Sequence, residues 1–386
     1  MEKLWKYKKI GEVCIVERGA SPRPIDKYIT DNESGINWIK IGDTSDSMYI
    51  TETAQKIIVE GMKKSRYVKP GDFLLSNSMS FGRPYILKID GCIHDGWLVL
   101  RDENALFDKR FLYYYLSSKT TYKKLKSMAV GGVVNNLNSE MVRNVIVPVP
   151  DKEEQSEIAD LFDKIKKILD DRKQELEQLD TLVKSRFVEL FGNPISNSYG
   201  LPEATLPELG EFGRGVSKHR PRNDPRLLDG EYPLIQTGDI ANTDLYITLY
   251  NSTYSELGLQ QSKMWNKGTL CITIAANIAK TAILRFDACF PDSVVGFNAN
   301  ERTNNIFIHY WFSFFQSILE SQAPESAQKN INLKILSELK VIVPKKEKQD
   351  EFVEFINQLD KSKSKIQKSL EETQRLFDSL MQKYFG

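Results

Sequence analysis

Blocks of this sequence recur in one order at nearly one offset. Asn135-Asn136-Leu137-Asn138-Ser139-Glu140 runs on to Val145-Ile146-Val147-Pro148, and Asn330-Ile331-Asn332-Leu333 runs on to Val341-Ile342-Val343-Pro344, placing Pro148 and Pro344 196 residues apart. Gly42-Asp43 returns as Gly238-Asp239 at 196, Lys69-Pro70-Gly71-Asp72 as Asn266-Lys267-Gly268-Thr269 at 197, and Phe191-Gly192 as Phe385-Gly386 at 194. One such match arises by chance, but four in the same order do not. The chain therefore consists of two similar halves, each a globular unit followed by a helical segment. The boundaries read as 1–150 and 151–192 for the first half, and 193–345 and 346–386 for the second. A length of 386 residues suits this division.

The helical segments carry apolar residues at alternating steps of four and three. In the first they are Ile158, Phe162, Ile165, Leu169, Leu176, Leu179, Val183 and Leu190, interrupted by Arg172 and Arg186. In the second they are Phe352, Ile356, Leu359, Ile366, Leu370, Phe377, Leu380 and Tyr384, interrupted by Lys363 and Thr373. This is the 3.5-residue period of a coiled-coil seam, with Lys, Glu, Asp and Gln between. Each stretch predicts a helix of about 33 residues, roughly 50 Å long. Equal length and position favour the two packing on each other, and the domain between them lets the chain return antiparallel. The alternative is two amphipathic helices, each packing on its own domain.

The globular units read as α/β or α+β. Strands are expected at Ile36–Ile41, Asp72–Leu75, Tyr85–Ile89, Trp97–Leu100, Thr269–Ile274, Ala282–Phe286 and Val341–Val343. Phe111–Leu116 and Tyr310–Phe315 read as matching aromatic-rich helices.

The sequence offers little for catalysis. His94, His219 and His309 are far apart, and none stands at a metal-ligand spacing. There is no GxxxxGK[ST] loop, and Gly210 to Gly215 has the wrong spacing for a dinucleotide fingerprint. Asn193-Pro194-Ile195 lacks the second proline of an amino-methyltransferase motif. Asp171-Arg172-Lys173 falls on the coiled-coil helix, where it reads as solvated charge rather than a nuclease centre. The expectation is a chain with no catalytic residues and no metal of its own. Cys14, Cys92, Cys271 and Cys289 form no CxxC pair, and no signal peptide precedes them, which suggests free thiols in a reducing cytoplasm.

Charge is more informative locally than in total. The net is +1, from 53 basic and 52 acidic residues. Yet Arg214, Lys218, Arg220, Arg222 and Arg226 face only Asp224 within one short stretch, and Lys63, Lys64, Arg66 and Lys69 have no acid among them. The first helical segment instead holds twelve acids against eight bases. Clustered Lys and Arg suit phosphate binding, because each releases condensed counterions.

Together these features resemble the DNA-specificity subunit of type I restriction–modification systems. The carrying residues are the duplicated Asn136–Ser139 with Pro148 and Asn332-Leu333 with Pro344. After each comes a Glu154-Gln155 or Lys348-Gln349 pair opening the long helix. Ile39–Asp43 and Gln236–Asp239 also match, as do Ala279-Lys280-Thr281-Ala282 and Phe290–Phe297. The first half has Gly82-Arg83-Pro84-Tyr85 where the second has the Lys280-Thr281-Ala282 phrase. The resemblance implies two target-recognition domains on antiparallel spacer helices, each reading one half of a split sequence in double-stranded DNA. It implies docking of two methyltransferase subunits and, through them, restriction subunits, with S-adenosylmethionine, ATP and Mg²⁺ carried by those partners. By loop position and side-chain type, the candidate DNA contacts are Arg23, Arg83, Asn135 and Asn136 in the first half. In the second they are Lys218, Arg220, Arg222, Gln236, Lys280 and Asn330. The competing reading is a two-module coiled-coil scaffold that binds proteins.

Overall fold

A computed structural model describes residues 5–77, 82–129, 136–275, 278–322 and 331–386. The chain divides into two compact units, one of 1–173 with 367–386 and one of 174–366.

In the first unit, strands Ile15–Arg18, Trp97–Arg101, Phe73–Ser76, Pro84–Leu87 and Tyr49–Ile50 pair in that order. Side chains alternate across this sheet, as strand geometry requires. Phe73, Leu75, Ile86, Leu98 and Leu100 face a helical layer led by Phe111, Leu112, Tyr115 and Leu116. Leu74, Tyr85, Leu87, Trp97 and Val99 face a second sheet through Ile39, Val68 and Ile93. That second sheet has the order Ile29–Thr30, Gln55–Ile57, Ile36–Ile39, Gly91–Ile93, Arg66–Val68. Both faces of the central sheet are buried, which is why its strands read as unbroken apolar runs.

The second unit repeats this plan. Gly210–Arg214, Val294–Ala299, Leu270–Thr273, Thr281–Leu284 and Tyr246–Ile247 form the central sheet, and Ser252–Tyr254, Leu228–Leu234, Ala288–Cys289 and Met264–Trp265 the outer one. Its aromatic helix, Asn305–Gln322, buries Phe307, Ile308, Trp311 and Phe312. Most pairings are antiparallel, with parallel contacts such as Cys92 beside Trp38 and Cys289 beside Leu234, so the fold is α+β. The strand expected at Ile36–Ile41 ends at Ile39, because Ile41–Asp43 forms a 3-10 turn in which the Asp43 carboxylate accepts the Lys40 N–H at 2.7 Å.

The long helices run Lys152–Phe191 and Lys346–Phe385, forty residues each rather than about 33. The apolar period spans 158–190 and 352–384, leaving out the first six residues and the last residue of each helix. The additional turn at each start is fixed by a buried glutamine, and the last turn by Phe191 or Phe385. Within the first unit the start of one helix packs on the end of the other, with Phe162 5.5 Å from Phe377 and 5.6 Å from Phe385 by ring centroids. Within the second unit Phe187 and Phe191 meet Phe352 at 5.4 and 5.7 Å. Each pair of helix ends also belongs to the core of its globular unit. The two sequence alternatives, packing on each other or on the domain, are therefore combined within each unit.

Of the seam positions, Ile158, Phe162, Ile165, Leu169, Val183, Phe352, Ile356 and Leu359 are buried. Leu176, Leu179, Leu190, Ile366, Leu370, Phe377, Leu380 and Tyr384 are half-buried. Ala159, Phe187, Phe191 and Phe385 are buried too, although the seven-residue pattern passes over them. Where a helix end lies on a sheet, a wider 3.6-residue face is covered, and Phe187 rather than Arg186 points inward. Arg186 instead pairs with Glu351 at 2.7 Å.

Candidate nucleic-acid interface

The two units hold the same loop frame. A strand ends at Arg18 in one and Arg214 in the other, and a glycine follows each. A Cβ on Gly19 would lie 2.0 Å from the His94 carbonyl oxygen, and one on Gly215 2.3 Å from that of Phe290. Only glycine lets the chain pass so close to that backbone. The passage brings the next residues against an aspartate. Arg18 Nε donates to the Asp95 carbonyl at 3.1 Å, and Arg214 Nε to the Asp292 carbonyl at 2.9 Å. Further along, Arg23 and Arg220 each precede a cis-proline, Pro24 and Pro221.

Arg23 reaches Asp95 Oδ2 at 3.2 Å, and Ser21 donates to Asp95 Oδ1 at 2.8 Å. Partial burial pushes the Asp95 carboxyl up, but the Ser21 hydroxyl, the backbone, His94 and Arg23 outweigh it and hold the group below its ordinary range. In the second unit Arg220 reaches Asp292 Oδ2 at 3.4 Å, and Arg222 contacts Oδ1 of the same carboxylate. Arg220 also donates to the carbonyls of Ser217 and His219 at 2.6 and 2.8 Å. His219 faces Asp224 at 3.0 Å. Hydrogen bonds from Arg226 first, and from His219, hold the Asp224 carboxyl well below the usual carboxylate range.

The loop of Arg23 borders a cavity of about 680 Å³, lined also by Trp38, Lys40, His94 and Asp95. Burial keeps the His94 imidazole below its usual pKa, and its Nδ1 accepts the Gly96 N–H at 2.7 Å. Lys40 occupies the place that Gln236 has in the other unit. Lys40 Nζ bonds Gln55 Oε1 at 2.7 Å, and Gln236 Nε2 bonds Ser252 Oγ at 3.3 Å. The backbone N–H of each donates to an aspartate three residues on, Asp43 or Asp239.

Arg83 and Lys280 are also equivalent. Arg83 N–H donates to Ser76 Oγ at 3.0 Å, and Lys280 N–H to Thr273 Oγ1 at 3.1 Å. Arg83 turns to Asp46 at 3.2 Å and does not line the cavity of Arg23. Lys280 lines a different cavity of about 250 Å³, with Asp180, Asp244, Thr281, His309 and Tyr310. Lys218 is exposed on the Arg220 loop, and Asn136 is half-buried beside Leu137, whose N–H donates to Asn77 at 3.1 Å. Asn135 and Asn330 lie outside the described residues. The duplicated Asn138 and Asn332 are helix caps, accepting the N–H of Met141 and Ile335 at 2.9 Å.

Sequence reasoning missed Asp95, Asp292, Lys40 and Trp38. The repeat offset alone would have aligned Asp95 with Asp292, 197 residues on. Among the described residues no group of three or more His, Cys, Asp or Glu is placed to hold a metal ion. No described helix is long and apolar enough to cross a membrane.

The family model for the type I restriction modification DNA specificity domain matches residues 2–179 and again 203–373. The chain belongs to this family. As a specificity subunit it recognises DNA targets and contributes no catalysis, and the protein-scaffold alternative is not favoured. Such a subunit works in complex with other subunits. The chain is 24% identical to the EcoBI type I restriction enzyme specificity subunit of Escherichia coli, over 72% of this chain and 65% of that one. It is 21% identical to the EcoKI specificity subunit of Escherichia coli strain K12, over 89% and 78%. Its fold is similar to the type I restriction–modification S subunit from M. genitalium, with a TM-score of 0.59 at 16% identity, covering 99% of this chain and 96% of that one. A chain from a type I R-M system studied for its assembly and conformational transition gives a TM-score of 0.62 at 17% identity, covering 99% and 97%.

Proposed function

We propose that each unit of this specificity subunit reads one half of a split DNA target. The first would use the loop of Arg23 with Lys40, and the second the loop of Lys218, Arg220 and Arg222 with Gln236. The observation that carries this reading is the duplicated frame. Backbone and hydrogen-bond geometry repeat, while the side chain at an equivalent point differs, Lys40 against Gln236. Arg and Lys suit guanine edges and Gln suits adenine, so one frame with exchanged tips gives two different half-sites. Arg83, Asn136 and Lys280 fit phosphate or flanking contacts better, since they stand apart from these loops. Asn135 and Asn330 remain proposed contacts on sequence grounds.

The long helices would dock two methyltransferase subunits, and through them the restriction subunits. S-adenosylmethionine, ATP and Mg²⁺ would reside on those partners, and the assembly would act in the cytoplasm. The test is a methylome. The chain is co-expressed with its methyltransferase partner in a host lacking adenine methylation, and modified bases are mapped. A split motif with a fixed gap, absent when this chain is omitted, is the expected result. A soluble complex that leaves no methylation would overturn the reading.

A further inference from the structure

The arginines assigned to DNA are already engaged. Arg220 and Arg222 converge on the single carboxylate of Asp292, and Arg23 on Asp95. The arrangement is kept in both units, although the loops that carry it differ in sequence between Ser21–Pro24 and Ser217–Arg222. In both units the aspartate is held by its own backbone carbonyl, which accepts from the arginine ending the preceding strand. In both, a glycine that tolerates no Cβ brings the loop onto it. The aspartate backbone is thus fixed, and the arginines reach its carboxylate with exposed side chains, Arg220 holding two further bonds to the carbonyls of Ser217 and His219. Their side chains are 55%, 47% and 79% exposed for Arg220, Arg222 and Arg23.

We infer that Asp292, with Asp95 as its counterpart, is a specificity-determining residue that holds the reading arginines off DNA lacking the target sequence. The inference rests on the proposed DNA-reading role of these loops. On a non-target duplex, an arginine leaving the carboxylate gains only a phosphate contact, one anion in place of another. It then leaves a bare carboxylate facing a polyanion. On the target, the same arginine gains a bidentate contact to a base edge, which the carboxylate cannot offset. The pair is exposed and therefore weak enough to open. Among Arg220, Arg222 and Asp292 the carboxylate lowers the summed charge from +2 to +1, and it cancels the single charge of Arg23 at Asp95, where counterion release drives non-specific binding. Discrimination rises because the loss falls mainly on the wrong sequences.

The experiment compares the full chain with Asp292→Asn on two duplexes of equal length, one carrying the mapped target and one scrambled. Asparagine keeps the shape and removes the charge. Non-target affinity should rise about five-fold at low salt while target affinity changes less than about two-fold, and the gap should narrow as salt screens the site. Asp292→Glu should restore discrimination. Asp95→Asn should act the same way on the other half-site, and thermal melts would check folding. An unchanged ratio of target to non-target affinity, or a parallel loss of both with intact folding, would overturn the inference and leave the aspartate a structural support. Absence of DNA binding by the unmodified chain would overturn the DNA-reading assignment itself.

Discussion

The side chain of Gln155 accepts the backbone N–H of Asp108 at 2.7 Å, tying the first turn of one long helix to the start of the aromatic helix it packs on. Its amide also donates to the carbonyls of Pro150 and Leu106, at 2.9 and 3.2 Å. Gln349 does the same work in the other unit, bonding Pro344, Arg302 and Thr303 at 2.9, 3.0 and 2.9 Å. Both glutamines are fully buried. Gln155→Leu or Gln349→Leu should therefore leave buried backbone groups unpaired and lower unfolding stability by about 2 kcal/mol or more. Chemical denaturation of the full chain would measure this. A change below about 0.5 kcal/mol would mean that water takes over the clamp.

Replacing Arg220 and Arg222 by alanine should weaken target binding by about ten- to a hundred-fold and relax only the half-site read by the second unit. Arg23→Ala should relax the other. Methylome mapping of each variant separates the two. Unchanged half-site preference in all of them would move base reading elsewhere in the loops.

Gly215→Ala should be far more harmful than Gly213→Ala, although only Arg214 separates the two positions. The first Cβ would meet carbonyl oxygens at 2.3 and 2.4 Å, while the second meets only a Trp265 ring carbon at 3.6 Å. The expected loss is about 2 kcal/mol or more for the first and under about 1 for the second. Thermal denaturation compared between the two variants tests whether the loop truly depends on that close approach.

His309 is buried against Thr281, 2.9 Å from its hydroxyl. Desolvation is the main cause that brings its pKa from 6.5 to about 4. Between these values the unfolded chain takes up a proton that the folded chain refuses. Stability is fully present above about pH 6.5 and falls as pH drops towards about 4, by up to about 1.4 kcal/mol per unit. His309→Gln should flatten that part of the pH–stability curve. A curve parallel to that of the unmodified chain would show that the imidazole is protonated in place.

All four cysteines are free and buried, and burial first of all pushes Cys14 up to about 12 and Cys92 to about 11. A neutral aromatic disulfide reagent should find essentially no reactive thiol in the folded chain and four after unfolding. Rapid reaction of one thiol would reveal a locally opening segment.

The sequence carried the repeat, the helices and the paired strands because these depend on period and order. Phe162 and Phe352 announce themselves by spacing alone. It did not carry the outer sheets well, since strands as short as Ala288–Cys289 give too few residues for a pattern. The interface was half legible. Arg23, Arg220 and Arg222 stood out as basic loop residues, but their aspartate lies about seventy residues away along the chain, where no local signal points to it. Asn138 and Asn332 were conspicuous for another reason, as helix caps.

Phe385 is almost fully buried and stacks on Phe162, with Phe111 and Tyr115 also against its ring. The first unit thus cannot close its interior until residue 385 has been made, whereas segment 174–366 is contiguous along the chain. Domains usually fold in the order in which they are synthesised. Here chain order runs the other way: residues 367–386, which complete the core of the first unit, are made after all of 174–366.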